Sequence, residues 1–265
     1  MSRASSAEEQ QSVDFACNLC GSHNTVAMTR LGREVSSCTR CGSTSRMRAM
    51  VHLLALGLFG RSVPLPEFPH DPGIRGIGLS DSAGYARPLR DKLGYVNTFF
   101  HAEPRVDITA PPEQWRHSLD FLIASDVFEH VPPPVERAFD GAASLLKPGG
   151  VMVFSVPYSL DASTVEHFPE LHQFTLEERA GAWTLTNRTR DGRVQRFSNL
   201  VFHGGPGQTL EMRLFCRDDV IRLARAAGFA SVDILEEPVW EFGIHDPAPW
   251  SRPMLIRLGT SSPGR

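Results

Sequence analysis

The sequence predicts an α/β fold with a mostly parallel sheet, preceded by a small metal-binding module and interrupted by an inserted cap. From Ile74 onward, short apolar runs alternate with helical stretches, which is typical of a parallel sheet with flanking helices. Four of the five cysteines lie between Cys17 and Cys41. Residues 158–215 break the alternation and are too many for an ordinary connection, so they predict an insertion with its own structure.

Length and composition indicate a protein with a substantial core and exclude several classes. The 265 residues are 41% hydrophobic and 22% charged, and the net charge of −3 argues against a protein that coats nucleic acid over its whole surface. The longest apolar stretch, Met50 to Phe59, is about half the roughly 20 residues of a bilayer span. The polar N-terminus lacks the apolar core of a secretory signal, so we expect a cytoplasmic protein without a membrane span.

The chain before the sheet divides into three segments. Residues 1–14 are predicted to be a disordered tail, and residues 15–45 a zinc ribbon. Residues 46–73 begin as a helix, because apolar side chains recur at spacings of three and four, and continue as a linker whose four prolines exclude a helix or a central strand. We therefore place a domain boundary there, before a domain of residues 74–265.

The cysteines form two Cys-x-x-Cys turns, each followed by glycine. Cys17 and Cys20 are separated from Cys38 and Cys41 by 17 residues, a spacing typical of a zinc ribbon. Four thiolates complete a tetrahedral zinc site and leave no open position, so we expect a structural role for the zinc. Two disulfides are the alternative, which a reducing compartment disfavours. We expect Cys216 to be a buried core thiol without chemistry.

Arginines are concentrated in and beside the ribbon. Residues 15–48 have a local charge balance of +4, which would suit contacts with phosphate. No aromatic residues interleave with the arginines to stack on bases, so we favour an ordinary solvated face. The charged residues are Arg30, Arg33, Arg40, Arg46, Arg48 and Glu34.

The domain of residues 74–265 is predicted to contain six strands and three helices. In the insertion, an Asp191–Gly192 turn between two strand-like runs predicts a hairpin that caps one end of the sheet. The predicted strands lie near Ile74–Leu79, Val96–Phe100, Phe121–Ser125, Val151–Val156, Ser231–Leu235 and Met254–Leu258, and the helices near Arg87–Leu93, Pro134–Leu146 and Arg217–Ala227.

Three segments in this domain carry a resemblance to a known family. They are LDFLIASDVFEHVP from Leu119, LLKPGGVMVFSVP from Leu145 and FCRDDVIRLARAAGF from Phe215. In order and spacing they resemble the class I S-adenosylmethionine-dependent methyltransferases of the type 11-like group, over Ile74 to Leu258. The resemblance implies a Rossmann-like, seven-stranded, mostly parallel sheet with flanking helices, and S-adenosylmethionine as the cofactor.

The turn after the first strand departs from the family pattern. Where the family has a Gly-x-Gly-x-Gly turn, this chain has GLSDSAGY, with Ser80 and Ser82 at the first two glycine positions. A serine that needs a positive φ there would be strained. Asp81 either supplies a carboxylate for the cofactor's ammonium group or is a turn-forming residue that bonds its own backbone.

The resemblance also implies the other cofactor contacts. Glu103, with His101 as a substitute, would bind the ribose hydroxyls. Asp107 would bind the adenine amino group, with a capping or turn role as the alternative, and Ser125 and Asp126 would lie near the methyl donor. The full predicted set is Gly78, Ser80, Asp81, Gly84, Glu103, Asp107, Ser125 and Asp126.

Histidines are the natural bases for a hydroxyl acceptor. His167 and His172 are favoured because they lie in the insertion, and His130 and His203 are further candidates. We identify no carboxylate pair that predicts a catalytic metal.

The resemblance implies a methyltransferase, with O-methylation of a sugar, glycan or other small molecule as the first hypothesis. An RNA methyltransferase that binds nucleic acid through its ribbon is the second hypothesis. The third is a non-catalytic binding protein that has lost the cofactor. No motif predicts an oligomeric state.

Overall fold

The structure is a computed structural model that describes residues 11–245 and 248–260. The predicted tail therefore lies mostly outside the described residues, but the first strand of the ribbon begins at Ser12, inside the segment 1–14. The helices are α1 Ser45–Phe59, α2 Ala83–Lys92, α3 Glu136–Leu145 and α4 Arg217–Ala226. The strands are β1 Ser12–Ala16, β2 His23–Ala27, β3 Asp71–Leu79, β4 Leu93–Thr98, β5 Leu119–Ser125, β6 Leu146–Ser155, β7 Tyr158–Ser159, β8 Val165–Glu166, β9 Gln173–Arg179, β10 Ala182–Arg188, β11 Val194–Phe197, β12 Phe202–His203, β13 Thr209–Leu210, β14 Arg213–Cys216, β15 Phe229–Ile234 and β16 Met254–Leu258.

The central sheet confirms the mostly parallel α/β architecture. Its order is β15-β16-β6-β5-β3-β4, and β16 runs antiparallel to both of its neighbours. The remaining pairings are parallel. Parallel strands place their carboxyl ends on one edge of the sheet, and the loops that leave those ends therefore gather in one place.

The sheet has six strands, so the seven implied by the family resemblance are wrong for this chain. The six predicted from the apolar runs are all present. Between β4 and β5 the only strand pairing of the described chain is an isolated bridge, from Phe99 to Arg105, and a 3₁₀ turn follows at Glu113–Trp115. Pro104, Pro111 and Pro112 occupy this stretch and supply no backbone donors, which accounts for the absence of a further strand beyond β4.

Helix boundaries differ from the predictions mainly at α2. Helix α1 begins within one residue of its predicted start, because the Thr44 hydroxyl accepts a hydrogen bond from the Met47 amide. Helix α2 begins at Ala83, four residues before the predicted start, because the Ser82 hydroxyl caps it. None of the helices in the described ranges has the length and apolar character that a bilayer span needs.

The ribbon and α1 belong to the same core as the sheet. On one face of the sheet, Met50 and Leu54 of α1 pack with Phe121 and Val153, and this cluster continues to Leu31 of the ribbon. The opposite face packs against α3 and α4 in a second cluster. The ribbon is therefore held against the sheet by buried apolar contacts.

The insertion has a small core of its own and confirms the predicted hairpin. Strands β10 and β11 pair antiparallel from Leu185–Phe197 to Arg188–Val194, and Gly192 in the turn has a φ of +87°. Strand β9 adds to this sheet. Cys216, at the end of β14, is buried as expected.

A buried arginine links the ribbon to the C-terminal part of the chain. Arg48 is fully buried and donates to the Ser37 hydroxyl (2.8 Å), the Ser43 carbonyl (2.8 Å) and the Gly243 carbonyl (2.7 Å). Its guanidinium lies 4.6 Å from the centre of the Phe15 ring. Burial lowers the pKa of Arg48, whereas the charges of the four ribbon thiolates oppose this effect and act as its counter-charge.

We expect Arg48→Met to lower the free energy of unfolding by about 3–5 kcal/mol, because it leaves buried carbonyls without donors and the thiolates without a cation. Arg48→Lys keeps the charge but not the planar set of donors, so its loss should be smaller. Chemical denaturation of zinc-loaded protein measures both. An Arg48→Met variant within about 0.5 kcal/mol of the parent, the range of ordinary surface substitutions, would contradict this role.

Candidate active site

A large cleft opens where the carboxyl ends of β3, β4 and β5 meet the insertion. Its volume is about 1220 Å³, which is large enough for a cofactor and an acceptor together. The ribbon and α1 also contribute to its walls. Its polar lining includes Arg33, Arg46, Ser80, His101, Asp107, Asp126, His130 and His203.

Two arginines from the N-terminal part bind the end of β5. Arg33 Nη2 donates to both carboxylate oxygens of Asp126, at 2.7 and 2.9 Å. Arg46 Nη1 donates to the Ser125 hydroxyl at 2.6 Å, and its Nε lies 3.5 Å from Asp126. Burial by itself would raise the pKa of Asp126, but the two guanidiniums outweigh it and hold that pKa below its usual value.

The expectation that the ribbon arginines form a solvated face is wrong for three of the five. Arg33 and Arg46 line the cleft, and Arg48 is buried. Arg30 and Arg40 are exposed. The reason is that the ribbon packs on the sheet edge, so its basic residues find carboxylate and carbonyl partners inside the molecule.

The turn after β3 is strained where the family pattern has glycine. Ser80 has a φ of 58°, in the left-handed region, and its amide donates to the Thr98 carbonyl at 2.7 Å. Gly78 is required, because a Cβ there would collide with the Asp81 carboxylate and the Tyr95 hydroxyl. Gly84 lies in the first turn of α2, outside the cleft lining.

Asp81 adopts neither of the two arrangements considered from the sequence. Its carboxylate accepts hydrogen bonds from Tyr85 Oη (2.8 Å) and Tyr95 Oη (2.6 Å), so it bonds neither its own backbone nor the cleft. Burial raises the pKa of Asp81 to about 7, against the opposing effect of the two hydroxyls.

Of the residues predicted to bind the adenosine part of the cofactor, some line the cleft and one lies outside it. Asp107 lines the cleft, and one of its oxygens accepts from the Thr109 amide (2.9 Å) and hydroxyl (2.7 Å), which is a turn role. Glu103 is exposed, outside the cleft lining, and accepts from the Arg105 amide at 3.0 Å. His101, its substitute, does line the cleft.

The four ribbon thiols fit a zinc ion. Their sulfurs all lie within 4.8 Å of one another, and the Cys17–Cys41 and Cys20–Cys38 pairs are 3.7 Å apart. A tetrahedron with zinc–sulfur bonds of about 2.3 Å has an edge of about 3.8 Å, whereas a disulfide needs about 2.05 Å. Burial raises the pKa of Cys17 to about 12 and also raises that of Cys41, whereas at Cys38 hydrogen bonds from the Cys41 amide and Ser22 outweigh burial and lower the pKa to about 6. A bound cation would favour the thiolate form of all four.

Histidines and carboxylates meet on the wall of the cleft opposite the ribbon. His130 Nε2 lies 3.1 Å from His203 Nδ1, and His203 Nε2 lies 3.0 Å from Glu211. The other oxygen of Glu211 is 2.8 Å from His167 Nε2. The structure therefore brings together three of the four histidines considered, while His172 is exposed and outside the lining.

The methyltransferase-domain family model matches residues 71–233, which is more than half of the chain. The chain belongs to the methyltransferase-domain family. With its open, mostly parallel sheet it is a class I S-adenosylmethionine-dependent methyltransferase. No curated protein matches the sequence significantly.

Solved structures similar to this methyltransferase are distant from it in sequence. An S-adenosylmethionine-dependent methyltransferase from Mesorhizobium loti is 14% identical, with 72% of this chain and 94% of that chain covered and a TM-score of 0.42. The 1,6-didemethyltoxoflavin-N1-methyltransferase of Burkholderia thailandensis is 14% identical, with 80% and 78% covered and a TM-score of 0.44. Nothing about the acceptor of this methyltransferase follows from them.

Sequence reasoning assigned no role in the site to four side chains that lie in or beside the methyltransferase cleft, Arg33, Arg46, Glu129 and Glu211. Arg33 and Arg46 were considered only as contacts for phosphate, and their position depends on how the ribbon docks. Glu211 is eight residues from His203 in the sequence, but no pattern there marks it as a site residue. A weak signal was available in Glu129–His130, where an ionisable pair directly follows an apolar strand and its turn.

The raised pKa of Asp81 means that this residue contributes less to the free energy of unfolding as the pH rises. Its pKa is about 7 in the folded protein and 3.8 without the fold, so the folded state binds this proton more tightly. The wild-type protein therefore loses stability as the pH rises from about 4 to about 7. We expect the unfolding free energy of Asp81→Asn, relative to wild type, to increase over that window. Denaturation at pH 5 and pH 8 measures this, and Asp91→Asn, at an exposed site on α2, is the control.

Proposed function

We propose that this methyltransferase transfers the methyl group of S-adenosylmethionine to a hydroxyl oxygen of a sugar, a glycan or another small molecule. The observation that carries the proposal is the group of imidazoles and carboxylates on the cleft wall, formed by Glu129, His130, His203 and Glu211. A hydroxyl is a poor nucleophile until it loses its proton, so O-methylation needs such groups beside the acceptor.

The residues of the cleft fit the cofactor by their chemistry. S-adenosylmethionine carries a carboxylate, an ammonium group, a sulfonium, a ribose diol and an adenine. The cleft offers the cations Arg33 and Arg46 and the anions Glu34, Asp107 and Asp126. Glu34 accepts from Arg46 Nε at 2.6 Å and from Arg46 Nη2 at 2.9 Å, contacts that the cofactor's carboxylate would replace. Its volume exceeds what the cofactor alone requires.

We assign the arginine end of the cleft to the amino-acid part of the cofactor and the Asp107 end to the adenosine. Arg46, with Ser125 beside it, would hold the carboxylate, and Asp126 would face the ammonium group. His101 and Asp107 would bind the ribose and the adenine. When bound, the cofactor supplies a methyl group on a positively charged sulfur, which is open to in-line attack.

The chain's own residues then orient the acceptor and handle its proton. Phe174 and Leu176 of the insertion line the cleft opposite the sheet and would exclude water from one side. His130 opens on the cleft, and His167 adjoins Glu211 behind it. We place the acceptor hydroxyl at His130 and keep His172, on the exposed side of the insertion, as a contact for a larger acceptor.

Two other functions are less well supported by the contacts. An RNA methyltransferase would need the ribbon arginines free for phosphates, but only Arg30 and Arg40 of the five are exposed. A non-catalytic binding protein would have no use for ionisable groups at the end of the cleft. The reduced four-thiol site supports a reducing compartment, and we propose the cytoplasm.

Calorimetric titration of zinc-loaded protein with S-adenosylmethionine and S-adenosylhomocysteine tests the cofactor site. We expect binding that Asp107→Ala weakens roughly tenfold, because one hydrogen bond to the adenine is lost. Glu103→Ala tests whether the ribose is bound by Glu103, as the family resemblance implies, or by His101, which lines the cleft. An effect within about twofold would assign the ribose to His101, and a tenfold loss would restore Glu103. Absence of binding to folded protein would overturn the enzyme and favour the non-catalytic alternative.

We expect His130→Ala to lower methyl transfer to a hydroxyl acceptor about 10²–10⁴-fold while cofactor affinity stays within about twofold. Acceptors are found by screening glycans and small hydroxylated compounds for transfer of a labelled methyl group. Equal rates in wild type and variant would remove His130 from the chemistry. Transfer to RNA with a steep salt dependence of binding would support the second hypothesis in place of the first.

A further inference from the structure

Three side chains at the end of the cleft hold their potential ligand atoms within 4.8 Å of one another. They are Glu129 and His130, in the helical turn Phe128–His130 after β5, and His203 of β12. The Glu129 Oε1 atom lies 3.6 Å from His130 Nε2 and 3.7 Å from His203 Nδ1. The two imidazole nitrogens are 3.1 Å apart. We call these three residues the EHH cluster.

Hydrogen bonds on the far sides of the rings fix where the imidazole protons lie. His130 Nδ1 is 2.9 Å from the Leu210 carbonyl, which only accepts, so this nitrogen carries the proton. His203 Nε2 is 3.0 Å from the Glu211 carboxylate and donates to it for the same reason. In the neutral rings, His130 Nε2 and His203 Nδ1 are therefore both lone pairs, and they face each other without a proton between them.

Glu129 adds a carboxylate that has no donor of its own. Its side chain is fully buried, and neither oxygen has a hydrogen-bond partner within the described part of the chain. Burial raises the pKa of Glu129 well above its usual range, and the neighbouring Asp126 adds to this effect. Burial lowers the pKa of His130. An unpaired buried carboxylate beside two lone pairs is unfavourable unless a cation joins them.

We propose that the EHH cluster is a binding site for a divalent transition-metal ion, separate from the ribbon zinc, with its open positions toward the cleft. Metal–ligand bonds of about 2.0–2.1 Å place neighbouring ligand atoms about 2.8–3.0 Å apart in octahedral geometry and about 3.3–3.4 Å apart in tetrahedral geometry. The spacing of the imidazole pair lies between these two ranges, and the carboxylate is a few tenths of an ångström further away. Two imidazoles and one carboxylate suit zinc, manganese or iron(II).

The surroundings of the EHH cluster are those of a metal site. Histidine ligands donate their second N–H to a carbonyl or a carboxylate, which fixes the ring and increases its basicity. The Leu210 carbonyl does this for His130, and Glu211 does it for His203. His167 Nε2 occupies the other oxygen of Glu211 and so holds that carboxylate in place.

The role of this ion rests on the proposed function and refines it, because with the ion bound His130 acts as a ligand and does not itself accept the acceptor's proton. The acceptor's hydroxyl oxygen would complete the coordination from the cleft side, and the ion would lower the pKa of that hydroxyl. The proton leaves to water in the cleft, and the oxygen's electron pair forms the new bond to the methyl carbon. The sulfur–methyl bond breaks and its electron pair stays on sulfur, which gives S-adenosylhomocysteine and the methyl ether. No oxidant or reductant takes part.

Metal content and cofactor binding, measured on the same samples, test this proposal. The full chain is loaded with zinc at the ribbon, dialysed against Zn²⁺, Mn²⁺ or Co²⁺, and analysed for metal per chain. We expect one equivalent beyond the ribbon zinc in wild type and none beyond it in Glu129→Gln or His203→Asn. Glu211→Gln should keep the site but weaken it roughly 10–100-fold. His70→Gln, at an exposed histidine outside the cleft, is the matched control.

Each result decides the proposal. If wild type holds one metal equivalent per chain with every ion tested, the EHH cluster holds a proton instead of a metal. If a second metal equivalent persists in both Glu129→Gln and His203→Asn, the second ion binds elsewhere. Either outcome overturns the proposal, provided that the variants keep the circular dichroism and unfolding transition of wild type. Titration with S-adenosylmethionine distinguishes failure of the metal site from failure of the proposed function. Normal cofactor binding with no second ion would overturn the metal site alone. A second ion without cofactor binding would overturn the proposed methyl transfer alone.

Discussion

The ion pair between Arg33 and Asp126 is the contact on which the cleft depends. Asp126 directly follows β5 in a left-handed conformation, with a φ of 55°, and its carboxylate also accepts from the Ser155 hydroxyl at 2.9 Å. Without Arg33 this largely buried carboxylate would keep only the more distant Arg46 as a counter-charge, which is costly. Arg33 is in place because the ribbon is folded, and the ribbon is folded around its four thiols and Arg48. A zinc ion at the four thiols would therefore affect the shape of a cleft to which it contributes no ligand, and the ribbon forms part of the cleft wall.

Two buried acids near the strand ends show how structural and functional carboxylates differ. Burial raises the pKa of both Asp81 and Glu129. Asp81 has two tyrosyl hydroxyls as donors, so its oxygens are satisfied within the fold. Glu129 has no donor in the described part of the chain and lies against two imidazole lone pairs. A raised pKa alone would mark both residues equally as candidate site residues. The lack of hydrogen-bond partners within the described residues distinguishes Glu129 as the side chain suited to bind a group from outside the fold.

The parts that sequence analysis predicted are those that depend on local pattern. The six sheet strands, helix α1, the Asp191–Gly192 hairpin and the four-thiol cluster each depend on spacings within about 25 residues, which periodicity and turn chemistry capture. The seventh strand was wrong because it was carried over from the family, while the prolines after β4 argued against it. The contacts of Arg33 with Asp126, of Asp81 with Tyr95 and of Glu129 with His203 were not predictable, because each joins different elements of the fold and no local pattern encodes it. A parallel sheet favours a cleft at the carboxyl ends of its strands, but the chemistry in that cleft depends on which loops meet there.

The EHH cluster joins the insertion to the loop that follows β5. Glu129 and His130 come from the loop after β5, whereas His203 and Glu211 come from the insertion, so neither part holds the cluster alone. Two hydrogen bonds hold these two parts of the chain together. The Met212 amide donates to the Glu129 carbonyl at 2.8 Å, and the Arg213 guanidinium donates to the Phe128 carbonyl at 2.8 Å. A cation bound between the halves would add to these contacts and hold the insertion over the cleft. The insertion would then do two things at once, supplying half of the groups that act on the acceptor and the apolar wall that selects it.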